Sequence, residues 1–120
     1  NNNFYNIEHS TISEEKASFS IRLNKDHSIY KGHFPGVPVT PGVVQLEIIK
    51  ELISITTNKR ISLLSIRNCK FLAVLVPDNS LLSVDIDFTT NDDGNLKISA
   101  RISNQENVFF KLNGVYVPSN

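Results

Sequence analysis

The sequence predicts an α+β domain in which an antiparallel β-sheet wraps around one long central α-helix. Three observations carry that prediction. Apolar and polar residues alternate, the period of a half-buried strand, from Ala17 to Leu23 and again through most of the chain after Ile61. Between these stretches lies one segment with helical spacing, preceded by a loop rich in Gly and Pro. The turn signals Pro77-Asp78-Asn79, Asn91 to Asn95 and Asn104 to Asn107 are short enough for hairpins. At 120 residues the chain fits one domain, taken as 1–120.

The elements follow in order. Asn1 to Glu15 is polar with scattered apolar positions (Phe4, Tyr5, Ile7, Ile12), a weak signal for a first short strand. Ala17, Phe19, Ile21 and Leu23 alternate with Ser18, Ser20 and Arg22, and this strand ends in the polar Asn24 to Ser28. In the loop from Tyr30 to Pro41, Pro35, Pro38 and Pro41 fix φ and remove donors, which excludes a regular helix or strand interior. Thr40 offers an N-cap oxygen and Pro41 suits the first helical position, so a helix is expected from Pro41 to about Thr56. On it Leu46, Ile48, Ile49, Leu52, Ile53 and Ile55 cover a wide apolar arc, while Glu47, Lys50, Glu51 and Ser54 share the opposite stripe. Gln45 falls inside the apolar arc, and a buried amide must find partners; a loop carbonyl is the expected one. The period then changes to two through Ile61 to Val76, Leu82 to Phe88, Leu96 to Ile102 and Val108 to Val117.

Composition narrows the functional classes. Twelve basic residues balance twelve acidic ones and no basic run occurs, so neither nucleic acid nor an anionic membrane surface is an expected partner. The apolar stretches fall far short of the roughly 20 residues that span a bilayer, so no membrane insertion is expected. The single cysteine, Cys69, can form no intrachain disulfide and no cysteine-based zinc site; no metal and no cofactor are expected. Asn1 to Ser10 lacks the basic start and apolar run of a secretory signal, and a cytoplasmic location is expected.

Of three histidines, His9 and His27 stand in polar surroundings. His33 stands between Gly32 and Phe34-Pro35-Gly36, in a loop stiffened by prolines just ahead of a helix N-terminus. Taken alone it is evenly divided between a histidine bonded to a backbone carbonyl and a functional one. Glu47, on a stripe with Lys50, Glu51 and Ser54, reads by pattern as part of a solvated face.

The whole string from His33 to Glu47, His-Phe-Pro-Gly-Val-Pro-Val-Thr-Pro-Gly-Val-Val-Gln-Leu-Glu, resembles the active-site motif of the FabZ-type 3-hydroxyacyl-(acyl-carrier-protein) dehydratases. In that motif His-Phe-Pro-Gly-x-Pro-Val-x-Pro-Gly-Val precedes a helix bearing a catalytic Glu. Lys70 to Leu81 also looks like that family's strand and turn, with Leu72 and Ala73 in place of basic residues and Asp78-Asn79 in place of Gly-Asp. The resemblance implies a hotdog fold and dehydration of 3-hydroxyacyl thioesters carried on acyl carrier protein. It makes His33 and Glu47 the catalytic pair, with Phe34, Gly36, Val39 and Gly42 on the substrate. It further implies a homodimer or higher homo-oligomer in which the His of one subunit faces the Glu of the other.

The chemistry is consistent with those roles. Eliminating water needs a base for the α-proton, an acid for the leaving hydroxyl and a donor for charge gathering on the thioester oxygen. A histidine titrating near neutrality suits the first and Glu47 the second. The Gly42 N–H, unpaired in the first helical turn at the positive end of the helix dipole, suits the third. Buried together, Glu47 and Glu51 would raise each other's pKa and keep Glu47 protonated. Two rival readings remain: a hotdog acyl-thioesterase, and a non-catalytic acyl-carrier-binding subunit.

Overall fold

The computed structural model describes residues 4–30, 39–78 and 80–119. In chain order the elements are β1 (Tyr5–Ile12), β2 (Lys16–Leu23), a 3-10 turn (Ser28–Tyr30), α1 (Gly42–Thr57), β3 (Arg60–Phe71), β4 (Leu82–Thr90), β5 (Leu96–Ser103) and β6 (Val108–Ser119). The strands form one antiparallel sheet in the order β1-β2-β4-β5-β6-β3. This is the expected α+β architecture.

The alternation along β2 and β5 becomes burial directly: Ala17, Phe19, Ile21 and Leu23, and Leu96, Ile98, Ala100 and Ile102, all turn to the core. There they meet Ile48, Ile49, Leu52 and Ile53 of α1. Burying each such side chain contributes about 1.5–3 kcal/mol against the unfolded chain, so this inner face holds helix and sheet together. Ile55, expected in the apolar arc, is instead exposed near the helix end. The weak N-terminal signal is a full strand, β1, tied to β2 through a short turn at Ser13 to Glu15.

Two expectations are corrected. Thr40 does not cap the helix: its hydroxyl lies 2.9 Å from that of Tyr30, both residues being buried. The N-cap is Pro41, extended at φ −60° and ψ 153°, and the first helical residue is Gly42. The Pro77 turn is not a hairpin, because β3 pairs with β6 while β4 lies between β2 and β5; the chain crosses over there. The turns at Asn91 to Asn95 and Asn104 to Asn107 do join sheet neighbours, each held by backbone N–H groups donating to an Asn side chain.

β3 departs from the rest. It ends at Phe71, short of Val76, because the N–H groups of Leu72 and Ala73 both turn to the carbonyl of Phe109. It is also an edge strand with two register shifts, and Leu63, Leu64 and Ile66 are exposed along it. Its partner β6 carries Gly114 where a Cβ would lie 2.8 Å from the Ser65 carbonyl oxygen, so glycine permits the close approach of the irregular strand. No described helix is long and apolar enough to cross a membrane.

Candidate active site

The segment expected to carry chemistry is anchored at both ends. Before it, buried Tyr30 reaches the Thr40 hydroxyl; after it, the Thr40 N–H donates to the Leu75 carbonyl at 2.8 Å. Gln45, in the first turn of α1 and 3% exposed, donates through Nε2 to the Thr40 carbonyl at 3.1 Å, the loop carbonyl anticipated for it. Its Oε1 is buried without a partner among the described residues. Helix start, loop exit and the segment after β3 are therefore one hydrogen-bonded unit. His33, Phe34 and Gly36 lie outside the described residues. Val39, half-buried, enters this unit just ahead of Thr40.

Gly42 opens α1, so its N–H has no carbonyl one turn earlier within the helix. The ring of Phe71, at the end of β3, leans over it: a Cβ at position 42 would lie 2.6 Å from Cζ and 2.8 Å from Cε1. Phe71 stacks obliquely on buried Phe110, with centroids 4.9 Å apart, yet is 55% exposed. The sequence offered Phe71 only as a match in a strand motif; its place over Gly42 needs the fold. Gly42→Ala should destabilise the chain by about 1–2 kcal/mol through overpacking, despite alanine's better helix propensity. Phe71→Ala in the same chain should recover most of that loss, which a double-mutant cycle by denaturant unfolding measures.

Glu47 lies further along α1 and is exposed, and Glu51, one turn later on the stripe, is half-buried. Glu51 accepts a 2.9 Å hydrogen bond from the hydroxyl of Tyr5, a β1 residue only 1% exposed. Within one chain the two carboxylates are thus not buried together, and Glu51 is held by a phenol. Two buried tyrosines sense the stripe. Burial, then the bond and charge of Glu51, then the charge of Glu47 hold the Tyr5 phenol well above its ordinary value. Burial, followed by Cys69 and Glu47, pushes Tyr116 up from 10.0 to about 12. Tyr5 sits in the weak opening segment and Tyr116 in an ordinary strand pattern, so neither was singled out by the sequence.

A phenol whose folded pKa is raised favours the native state while it stays neutral. That contribution is complete below the unfolded pKa of 10.0 and is lost as pH climbs toward about 12. Alkaline unfolding should therefore coincide with tyrosinate absorbance across that window, and Tyr116→Phe should move it to higher pH.

Among the described residues no group of His, Cys, Asp and Glu is placed to hold a metal ion. His9 is exposed beside Thr11, and His27 stacks on Phe4 at 4.1 Å, so each has a local structural setting.

Comparison with known proteins bears on this arrangement. Two proteins named 3-hydroxyacyl-(acyl-carrier-protein) dehydratase FabZ are similar to part of the chain. That of Erythrobacter litoralis is 32% identical over 76 residues, 56% of this chain and 50% of that protein. That of Rickettsia bellii is 37% identical over 60 residues, 43% of this chain and 41% of that protein. The chain spans about half the length of these curated relatives, or less. The dehydratase heterocomplex ApeI:P from Xenorhabdus doucetiae superposes with a TM-score of 0.75 at 19% identity, covering 93% of this chain and 96% of that one. A hypothetical thioesterase with coenzyme A from Streptococcus pneumoniae superposes with a TM-score of 0.68 at 12% identity, covering 97% and 86%. At such identities these two likenesses establish the hotdog fold and nothing finer. The ApeI-like family model, described as ApeI dehydratase, matches from His9 to Leu112. That span is most of the chain and takes in the whole His33 to Glu47 string, so the chain belongs to the ApeI-like dehydratase family.

Proposed function

We propose that this chain dehydrates 3-hydroxyacyl thioesters, carried on acyl carrier protein, to trans-2-enoyl thioesters. The observation that carries the reading is the ApeI-like family match running through the intact string from His33 to Glu47. In the proposed reaction His33 takes the proton from C2 of the acyl group, and the electron pair moves toward the thioester carbonyl, whose oxygen the Gly42 N–H holds. As the C2–C3 double bond forms, the C3 hydroxyl departs with a proton from Glu47 and leaves as water. Val39, with Phe34 and Gly36, is assigned to the substrate on the strength of the motif alone. No cofactor is needed, because the reaction transfers no electrons to an acceptor.

The Glu47 stripe is open to solvent and β3 leaves an apolar edge exposed, which supports a homodimer that places the Glu47 of one chain opposite the His33 of its partner. A second reading is favoured by one observation: the structurally similar ApeI of Xenorhabdus doucetiae was solved as a heterocomplex. On that reading the apolar edge meets a different chain. The test offers purified protein a series of 3-hydroxyacyl-carrier thioesters and follows conjugated enoyl absorbance. Enoyl product from the protein alone supports the homomeric dehydratase. Free acid instead of enoyl product would establish a thioesterase, and inertness at every chain length until a second protein is added would favour the heteromer.

A further inference from the structure

Charge is segregated across the sheet in a way the net-neutral composition hides. The neighbouring strands β5, β6 and β3 carry Lys97, Arg101, Lys111, Arg60, Arg67 and Lys70 and not one carboxylate. Arg101 pairs in register with Lys111, and Lys111 with Lys70, so three exposed cations stand abreast on the face turned away from α1. Like charges directly across strands are destabilising. β4, by contrast, supplies Asp85 3.8 Å from Arg101 and Asp87 3.7 Å from Lys16. Among the described residues Arg67, Lys70, Lys97 and Lys111 form no ion pair. A groove of about 710 Å³ runs over the same strands, with Arg67, Lys97, Asn68 and Asn113 along it and Asp87 and Phe88 of β4 closing its far side, so the cationic row itself lies outside it.

The position of this face matters as much as its charge. Lys70 immediately precedes Phe71, whose ring leans over Gly42, so the cationic row ends at the lip of the candidate active site. We propose that the outer face of β5-β6-β3 docks an acidic carrier protein, with Lys70, Lys111 and Arg101 meeting its carboxylates. This rests on the dehydratase reading, which requires a protein-borne thioester. A nucleic acid is the poorer occupant, since the row has only three cations, no aromatic stands among them, and the adjoining groove carries the carboxylate of Asp87, which repels a phosphate backbone. Cations such as Lys70 and Lys111, which form no ion pair among the described residues, attract an acidic partner over roughly a Debye length and speed its encounter.

The test titrates fluorescently labelled holo-acyl carrier protein, without an acyl group, with the full chain. Wild type should bind with an affinity that falls steeply as salt rises. Lys70→Glu with Lys111→Glu should weaken binding about tenfold or more and flatten the salt dependence, because close charge pairs dominate such encounters. Lys70→Gln with Lys111→Gln should fall in between, and Lys25→Glu, in the turn after β2, should change nothing. Salt-insensitive binding, a loss no larger than that of Lys25→Glu, or tighter binding to phosphatidylserine vesicles than to carrier protein would each overturn the proposal. Docking lost on charge reversal, in a protein that converts no 3-hydroxyacyl thioester, would sink the dehydratase reading alone. Enoyl formation without docking would sink the docking face alone.

Discussion

Glu47→Gln should lower enoyl formation by about 10²–10⁴-fold, the range associated with losing a positioned general acid, and should leave the midpoint of unfolding almost unmoved. The two halves of this expectation come from different observations. Glu47 is exposed, forms no hydrogen bond or ion pair with the described residues and occupies a regular helical position, so glutamine there replaces one good helix former with another. A residue on a merely solvated face would show no effect in either measurement. Glu51→Gln provides the contrast. Glu51 is half-buried and accepts the Tyr5 hydroxyl at 2.9 Å; a glutamine carbonyl can accept the same bond but carries no charge. Its loss should therefore be smaller in turnover and larger in stability than that of Glu47→Gln. His33→Ala should match Glu47→Gln in turnover. Equal, slight effects at both proposed positions, with enoyl product still formed, would remove this pair from the chemistry.

The architecture was legible in the sequence wherever a local period decided it. β2 and β5 show their alternation as burial because central strands have one face on the core, and α1 was placed to within a residue at each end. The misplaced helix start has a local cause: Thr40 was read as a free cap, whereas the fold spends its hydroxyl on Tyr30, ten residues earlier. β3 was overextended because its apolar run continues to Val76, and only the carbonyl of Phe109, brought in by the β6 pairing, shows where the strand must stop. The Pro77 turn was misread for the same reason, since strand order is a long-range property that turn chemistry does not encode. The site divides similarly. His33, Gly42 and Glu47 were proposed from one contiguous string, and the buried Gln45 was anticipated as a polar residue in an apolar arc. Tyr5, Tyr116 and Phe71 sit on strands distant in sequence from α1, and without the sheet nothing in their own neighbourhoods points to the helix.

Mixing two inactive variants should restore activity. If His33 of one chain works with Glu47 of its partner, His33→Ala still supplies a good Glu47 and Glu47→Ala a good His33, and a mixed dimer contains one complete site and one doubly damaged one. Random exchange puts half the dimers in that mixed class, so about a quarter of wild-type activity should return, as an isologous two-fold interface requires. If both groups came from the same chain, no mixture would ever contain a complete site and activity would stay at the level of the single variants. The apolar edge gives an independent handle on the same expectation. Leu64 is 60% exposed on β3 and takes no part in the described core, so Leu64→Glu should leave the isolated chain folded while splitting the dimer and abolishing complementation. Restored activity only when a different protein is added, with none from the mixture, would move the second half of the site onto that other chain.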